Sequence, residues 1–322
     1  MKRAGIILLQ LLVTAAGIWY VFHDPQKRAR ILDALWRADV RWLAAGWICY
    51  GAVETLATVR WQILLRIQGI TLGWFRSLGI VMIGLFFNMF LPGLIGGDVA
   101  RLYFVFKRVP RQKTRATFSV VMDRLFGLFS ILFLGGVSLI LRFGWFSRSS
   151  ATLHIAYVAL ALLGGGAALV TFLFGAVGFG LLHRLPERTP FRKTIVESGE
   201  ALHAYGTHLL AMGAAFWITV VSHVAYYLSY YCAGQSLHAA GRVASLADML
   251  SIMPLVNTVT SVPISFGGAG VRETLFQQLL GNLAHVPAAL AAFSASLGFA
   301  IQASWGLLGG MVYLLSRKIS SR

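Results

Sequence analysis

The sequence contains few charged residues, and acidic residues are especially scarce. Only 12% of its 322 residues are charged, and 28 lysines and arginines stand against 11 aspartates and glutamates. Soluble proteins carry about a quarter charged residues, so this composition excludes an ordinary soluble domain. Polar intervals reach only about 20 to 30 residues, which is too short to bury a separate hydrophobic core. We therefore expect a single transmembrane domain over residues 1–322.

Sequence motifs for metal, nucleotide or nucleophile chemistry are also missing. Cys49 and Cys232 both lie in apolar segments, which disfavours a structural disulfide, and no Cys/His spacing is typical of a zinc site. There is no GxxxxGK[ST], GxSxG, HExxH or GxGxxG motif. We therefore expect no metal and no cofactor, and a transporter rather than an enzyme.

Apolar segments are abundant instead. Stretches of roughly 18 or more apolar residues are typical of membrane-spanning helices. The first stretch ends in Trp19 and Tyr20 rather than at a small-residue cleavage site, so we interpret it as an uncleaved anchor and not as a signal peptide. The eight segments run over or centre near Ala4–Phe22, Ala45–Val59, Gly79–Leu91, Phe118–Leu141, Leu153–Leu181, Leu209–Cys232, Met249–Val262 and Ala288–Leu315. This pattern predicts an all-α polytopic membrane protein.

The basic loops predict how the chain crosses the membrane, because cytoplasmic loops are enriched in lysine and arginine. If all eight segments cross, the basic loops Arg101–Arg115 and Arg184–Lys193 lie outside, with roughly 11 basic residues inside against 16 outside. If the third and seventh segments instead return to the side they entered from, roughly 18 basic residues lie inside against 9 outside. We therefore predict six full crossings, two re-entrant broken helices and two cytoplasmic termini.

The third and seventh segments share a residue order of Asn, Pro, paired Gly, and an acid with an Arg. Proline blocks a helix and glycine permits left-handed backbone, so both segments are predicted to break. A break at membrane depth persists only where protein or a water-filled cavity satisfies the freed backbone groups. For either site alone, an ordinary helix end is the alternative. We predict a substrate site from Asn88, Pro92, Gly93, Gly96, Gly97, Asp98, Arg101, Asn257, Pro263, Gly267, Gly268, Arg272 and Glu273.

The order of segments also predicts an inverted repeat. Two spans, a re-entrant segment and a span make up residues 1–141, and the same order recurs in residues 153–316. With three crossings each, the second half has the opposite orientation to the first. Transporters with this plan bind their substrate where broken helices of the two halves meet near the bilayer midplane.

Arg101 and Arg272 are the best candidates for binding an anionic headgroup. A guanidinium is permanently charged and offers a bidentate fork to phosphate, and each arginine follows a Gly-Gly turn whose amides can also bind anions. The structural alternative is an ion pair of Arg101 with Asp98, and of Arg272 with Glu273 or Glu54.

Other polar residues inside the apolar segments need a partner or a role, since a charge at mid-membrane costs roughly 2.5–3.5 kcal/mol. Glu54 either extends to the membrane surface or pairs with a cation of a neighbouring helix. Asp123 and Arg124 are expected in the first two turns of the fourth span, as a local ion pair or as cavity-lining groups. For His223 and Gln302 the expectation is an interhelical hydrogen bond, and a proton relay is the alternative for His223.

The net charge of +17 has two explanations. Part of it is the ordinary enrichment of cytoplasmic loops in basic residues, and the remainder suits anionic lipid headgroups or an anionic substrate. Nucleic acid is not expected as a partner, because the basic residues lie in short loops between spans.

Taken together, these motifs resemble the membrane region of the lysylphosphatidylglycerol synthases, a flippase-like family. The likeness covers nearly the whole chain. It rests on Arg60 and Trp61 with Leu64, Leu65 and Arg66; on Asn88, Leu91, Pro92 and Gly93 with Gly96, Gly97 and Asp98; on Asp123, Arg124 and Leu125, where the family often has Glu-Arg; and on Pro263 with Gly267, Gly268, Gly270, Val271, Arg272 and Glu273.

The resemblance implies lipid handling in the bacterial inner membrane. In full-length relatives this region is associated with moving aminoacylated phosphatidylglycerol to the outer leaflet, and a C-terminal cytosolic domain makes that lipid. The sequence ends at Arg322, just after the eighth segment, so we expect a standalone member without the synthase domain. Other relatives are linked to polyprenyl-phosphate-linked glycans.

We therefore predict a translocase that moves an anionic or aminoacylated phospholipid, or another lipid-linked headgroup, between leaflets. One alternative is a membrane-embedded enzyme acting on polyprenyl-phosphate-linked glycans, which would need Asp98, Asp123 or Glu273 as its carboxylate. Another is a non-catalytic partner of a lipid-modifying enzyme. Expected partners are membrane phospholipids or a lipid-linked substrate. Further candidate partners are a second copy of the chain, in a homo-oligomer, or a separate lipid-modifying enzyme.

Overall fold

The structure is a computed structural model that describes residues 31, 33–90, 96–178, 192–261 and 265–320. Its regular elements in these residues are helices, with single helical turns at Phe143–Phe146, His238–Ala240 and Phe266–Gly268. The ten longer helices are α1 (Val40–Ile67), α2 (Trp74–Phe90), α3 (Gly96–Phe106), α4 (Lys113–Leu141), α5 (Ser150–Gly178), α6 (Arg192–Gly206), α7 (Leu209–Gln235), α8 (Leu246–Ser261), α9 (Val271–Ala284) and α10 (Ala288–Ser320).

Among the described residues, three helices are long and apolar enough to cross a membrane: Lys113–Leu141, Leu209–Gln235 and Ala288–Leu315. Shorter apolar helices cover Trp74–Met89 and Leu153–Ala168. The prediction of an all-α membrane protein is therefore confirmed. The exact number of crossings stays a prediction, and the first predicted segment, at residues 4–22, lies outside the described residues.

The other seven predicted segments coincide with α1, α2, α4, α5, α7, α8 and α10. The sequence analysis missed α3, α6 and α9, which have only 11, 15 and 14 residues. Two of them, α3 and α9, follow the predicted breaks directly. Each break therefore separates two helices rather than ending one.

Helices α1 and α7 form an antiparallel pair at the centre of the bundle. At one end the Asp39 amide donates to the Ser236 carbonyl oxygen at 2.9 Å. At the other end the hydroxyl of Tyr205, just before α7, donates to the Leu64 carbonyl oxygen at 3.3 Å. Close approach needs a small residue, since a Cβ on Gly46 would lie 3.1 Å from the Ser229 carbonyl oxygen.

Helices α2 and α3 form a hairpin that returns to the end it started from. Ile70, in the loop before α2, packs in one hydrophobic cluster with Val105 at the end of α3 and Ala116 at the start of α4. In the same region, a Cβ on Gly69 would lie 3.9 Å from Nη1 of Arg115. We call this end of the bundle, with loops 68–73 and 107–112, the basic end.

Helices α8 and α9 form a second hairpin, which enters from the opposite end. The Arg142 guanidinium, just after α4, lies 2.8 Å from the Asp248 carboxylate in the first turn of α8. Met249 near the start of α8 and Leu283 near the end of α9 share one cluster with Leu290 at the start of α10. Both ends of this hairpin therefore lie opposite the basic end.

The remaining packing connects the two hairpins to the long helices and to each other. Helix α2 packs along α10, where a Cβ on Gly309 would overlap the Met82 carbonyl group, and α8 packs along α4, where Gly135 faces Pro254. Helix α2 also contacts the turn Phe266–Gly268, so the turn before α9 touches the first hairpin.

Candidate functional site

The first break is bridged by a side chain. The Gly97 amide, at the start of α3, donates to Oδ1 of Asn88 near the end of α2 at 2.9 Å. Any side chain at Gly97 would overlap Asn88 and the Gly84 carbonyl oxygen, so this contact requires glycine. The predicted site residues Pro92 and Gly93 lie between these helices, outside the described residues.

Arg101, one turn into α3, is held in a buried ion network. Its Nη1 lies 2.8 Å from Oδ2 of Asp123, whose Oδ1 also lies 2.6 Å from Nε of Arg60 on α1. The guanidinium of Arg101 covers the Trp61 ring at 4.5 Å, and the side chain is 7% exposed. Asp123 is therefore the hydrogen-bonded partner, and the predicted ion pair with Asp98 also forms, at the longer distance of 3.8 Å. Among the described residues, Nε of Arg101 finds no hydrogen-bond partner.

Asp123 and Arg124 differ from the prediction. Helix α4 begins at Lys113 and not near Phe118, so Asp123 lies almost three turns into it. The two neighbours also do not pair with each other, because successive helical residues point in different directions. Instead, Arg124 binds both carboxylate oxygens of Asp98, at 2.7 and 2.8 Å. The ion pairs thus connect α1, α3 and α4 around the first break.

Glu54 takes neither of its two expected positions. It is only 6% exposed and so does not extend to the membrane surface. Among the described residues, no cationic nitrogen lies within ion-pair distance of its carboxylate. It faces Tyr50, one turn earlier on α1, and is within electrostatic range of Arg101 and Arg60.

The second break is closed by Glu273. Its Oε2 accepts from the Gly270 amide at 2.7 Å, and its Oε1 accepts from the Ser296 hydroxyl at 3.2 Å. The carboxylate therefore caps the first turn of α9. Gly267 and Gly268, before the cap, have φ angles of 55° and 77°, a region that disfavours other residues. Pro263 lies outside the described residues.

Arg272, the residue before Glu273 on α9, is buried without an acidic partner among the described residues. It is 4% exposed, and neither Glu273 nor Glu54 pairs with it, contrary to the structural alternative. One nitrogen donates to the Gly267 carbonyl oxygen at 2.7 Å. The guanidinium lies 4.8 Å from the Phe299 ring and 5.7 Å from the Tyr230 ring. Its Nη1 has no hydrogen-bond partner among the described residues.

A group of tyrosines connects the residues near the first break with those near the second, and this group was not predicted from the sequence. The Tyr226 hydroxyl donates to the Tyr230 hydroxyl at 3.4 Å, and the Tyr50 ring packs edge-on against Tyr226. Tyr50 is within electrostatic range of both Glu54 and Arg272. The available signal was the spacing of four residues, which places Tyr226 and Tyr230 on one face of α7, as it does Tyr50 and Glu54 on α1.

The remaining predicted residues lie on α7, α8 and α10. Asn257 on α8 is beside Tyr227 of α7. The His223 ring lies 3.1 Å from the Ser130 hydroxyl, an interhelical contact between α7 and α4. Gln302 on α10 has a buried side-chain oxygen without a partner among the described residues. Across all the residues that the structure describes, no three His, Cys, Asp or Glu side chains are grouped as metal ligands.

Comparison with known proteins agrees with this architecture. A UPF0104 membrane protein of Pyrococcus horikoshii is 25% identical over 175 residues, which cover 54% of this chain and 48% of that protein. A UPF0104 membrane protein of Methanothermobacter thermautotrophicus is 27% identical over 141 residues, which cover 44% of this chain and 41% of that protein. The matched part thus spans less than half the length of these relatives. The family described as "Lysylphosphatidylglycerol synthase TM region" matches residues 7–310, and the chain belongs to this family.

Proposed function

We propose that the protein is a translocase for lipids with an anionic headgroup, and that the headgroup binds at Arg272. The observation that carries the proposal is a buried guanidinium without a carboxylate partner. An isolated buried ion costs several kcal/mol, so a site of this kind favours an incoming anion. The free Nη1 of Arg272 supplies the donor, and a phosphate supplies the acceptor geometry that guanidinium matches best.

Arg101 supplies a second set of donors beside the first break. Its Nε is free, although Asp123 occupies Nη1. Helices α3 and α9 both begin at the breaks, and the positive end of a helix dipole favours an anion, although the Gly97 and Gly270 amides already donate to Asn88 and Glu273. The contact between α2 and the turn Phe266–Gly268 supports a shared site for both breaks. The two halves would then form the inverted repeat of a transporter.

The charge of the two ends suggests how lipids are gathered. Among the residues whose side chains the structure describes, the basic end carries seven basic residues and one acid: Arg66, Arg76, Lys107, Arg108, Arg111, Lys113, Arg115 and Glu200. Counted in the same described residues, the opposite end carries five basic residues and three acids: Arg37, Arg41, Arg142, Arg148, Arg242, Asp33, Asp39 and Asp248. We assign the basic end and both termini to the cytoplasmic side, in a bacterial inner membrane. Basic residues there attract anionic headgroups.

The family membership supports a lipid substrate, and the aminoacylated phospholipid of the full-length synthases is one candidate. The enzymatic alternative has less support. Its three candidate carboxylates are all engaged: Asp98 with Arg124, Asp123 with Arg60 and Arg101, and Glu273 with the Gly270 amide. A catalytic acid needs access to its substrate, and these groups serve as internal partners instead.

The test is lipid exchange in vesicles. The full chain is reconstituted in phosphatidylcholine vesicles that contain a trace of acyl-labelled phosphatidylglycerol, and label in the outer leaflet is quenched chemically. We expect faster exchange of phosphatidylglycerol than in protein-free vesicles, and little exchange of acyl-labelled phosphatidylcholine. A panel with phosphatidic acid and a polyprenyl phosphate identifies the preferred headgroup. Exchange no faster than in protein-free vesicles for every anionic lipid would refute the proposal.

The matched variants are Arg272→Gln and Arg142→Gln. Arg142 also covers an aromatic ring, at 4.1 Å from Trp145, but it pairs with Asp248 away from both breaks. A hydrogen bond to a charged group contributes about 1.5–3 kcal/mol, so we expect Arg272→Gln to slow exchange by about tenfold or more. Arg142→Gln should exchange lipid at the original rate. Equal rates in both variants would remove Arg272 from the site.

A further inference from the structure

The charged side chains that the structure describes around the two breaks balance one another before any substrate enters. Four arginines surround the two breaks, together with four acidic residues, and all eight lie in the described part of the chain. The positive and negative charges of this set therefore cancel when every group is ionised. The set consists of Arg60, Arg101, Arg124, Arg272, Glu54, Asp98, Asp123 and Glu273.

An anionic headgroup disturbs this balance. A phosphodiester headgroup such as phosphatidylglycerol brings one negative charge, and a net charge inside a membrane protein is costly. Neutralising one carboxylate of the set restores the balance. A proton is the simplest ligand that does this, and the question becomes which of the four carboxylates takes it up.

Three of the four carboxylates are poorly suited to this role. Asp123 accepts from two arginines, Asp98 accepts two bonds from Arg124, and Glu273 caps α9. Protonation would break an ion pair or a helix cap in each case. Glu54 differs, because its buried carboxylate has no cation within ion-pair distance among the described residues. A proton on Glu54 therefore breaks no ion pair in this set.

The surroundings of Glu54 connect it to the headgroup site. Arg60 and Tyr50 of α1, Arg101 of α3 and Asp123 of α4 are within its electrostatic range. Helix α7 contributes Tyr226, whose ring packs against Tyr50, and Tyr230, which accepts from the Tyr226 hydroxyl and whose ring lies 5.7 Å from the Arg272 guanidinium. The titratable side chains described on α2 and α10 are Arg76, in the first turn at the basic end, and Tyr313, which packs on Phe87 and Phe104.

We propose that Glu54 is the proton site of a proton-coupled lipid translocase, a step that rests on the proposed function. One proton binds the Glu54 carboxylate when one anionic headgroup binds at the breaks. Both are released on the opposite face, the proton to water and the headgroup to the other leaflet. The transported pair carries no net charge, so the proton gradient sets the direction, and the headgroup moves with the proton.

The test applies a pH gradient to the reconstituted vesicles, with acyl-labelled phosphatidylglycerol in trace amount and an entrapped pH indicator. For one proton per headgroup, a gradient of one pH unit distributes the lipid about tenfold in favour of the alkaline leaflet at equilibrium. When the vesicle interior is the alkaline side, protons should enter the vesicles together with the lipid. Acyl-labelled phosphatidylcholine serves as the neutral comparison, and its distribution between the leaflets should not depend on the gradient.

The outcomes separate the two proposals. Exchange that occurs but ignores the gradient overturns the proton coupling and leaves the translocase proposal intact. No exchange of any anionic lipid overturns the translocase itself.

For the residue, Glu54→Gln should abolish lipid-dependent proton entry, and Glu54→Asp should restore it. The control is Glu200→Gln, an exposed acid on α6, which should behave as the unmodified protein. Coupled proton entry in Glu54→Gln, or its loss in Glu54→Asp, would show that the proton binds elsewhere.

Discussion

Nη1 of Arg101 lies 2.8 Å from Oδ2 of Asp123, and this ion pair joins the helix after the first break to the span that follows it. Arg101 follows the first glycine of its pair by five residues, and Arg272 follows Gly267 by the same distance. The two arginines nevertheless differ in their partners, because Arg272 has only a backbone carbonyl oxygen. This difference predicts opposite effects on stability when each arginine is removed.

For the first break, we expect Asp123→Asn to destabilise the protein strongly. The carboxylate is 5% exposed and compensates two guanidinium groups, so its removal leaves buried positive charge without a partner. Breaking a buried ion pair in this way costs about 3–5 kcal/mol. The matched variant is Asp98→Asn, whose partner Arg124 is 47% exposed and can be hydrated, so the loss should be smaller. Thermal unfolding in detergent measures the stability of both variants. Equal losses of stability would contradict the role of Asp123 as the buried partner of two arginines.

For the second break, we expect Arg272→Met to raise the stability of the protein in detergent while it abolishes lipid exchange. Methionine fills a similar volume against Phe299 and Tyr230 and removes a buried charge that has no ion-pair partner among the described residues. Replacement of buried ions by apolar residues is often neutral or stabilising by about 1–4 kcal/mol. The comparison is Arg101→Met, which should lower the unfolding temperature. A marked loss of stability in Arg272→Met would mean that the guanidinium serves the fold and not a ligand.

The location of the apolar helices could be predicted from the sequence, because hydropathy is a local property. Helix boundaries were less predictable: α4 starts at Lys113, where polar helical turns look like the loop that precedes them. The short helices α3 and α9 were missed for a related reason, since their first turns carry Asp98 and Glu273 rather than an apolar run. The Pro and Gly residues still identified which two segments break.

The pairing of charges in the site could not be predicted. Arg101 does lie 3.8 Å from its predicted partner Asp98, three residues away, but its hydrogen-bonded partner Asp123 is 22 residues away on another helix. Long-range contacts of this kind depend on how the helices pack, and a single sequence does not encode that packing in any local pattern. Tyr226 and Tyr230 were missed because aromatic residues in an apolar span are usually core residues.

The amide bridge across the first break predicts a role for Asn88. We expect Asn88→Ala to cost about 1 kcal/mol, as the loss of a helix N-cap does, and to slow lipid exchange because α3 carries Arg101. Thermal unfolding and the vesicle assay measure the two effects. Asn282→Ala, an exposed asparagine on α9, is the control and should change neither. Unaltered exchange in Asn88→Ala would show that the bridge does not position α3 for binding.

The close packing of α10 on α2 predicts that Gly309 tolerates no side chain. A Cβ there would overlap the Met82 carbonyl group, and a backbone atom cannot move aside as a flexible side chain can. The two helices would have to separate, which shifts the first hairpin relative to the span it packs on. Forced overpacking typically costs about 1–3 kcal/mol. We therefore expect Gly309→Ala to lower the unfolding temperature and to slow exchange.

The control for this substitution is Gly136→Ala on α4. A Cβ at Gly136 meets no atom within 4 Å, so alanine fits without strain. Alanine is also the better helix former by about 0.5–1 kcal/mol, so this variant should be at least as stable as the original protein. Because both substitutions add one methyl group to a helical glycine, their difference isolates the contact between α10 and α2. If Gly309→Ala matched Gly136→Ala in stability and exchange, the close approach of these helices would not be required for transport.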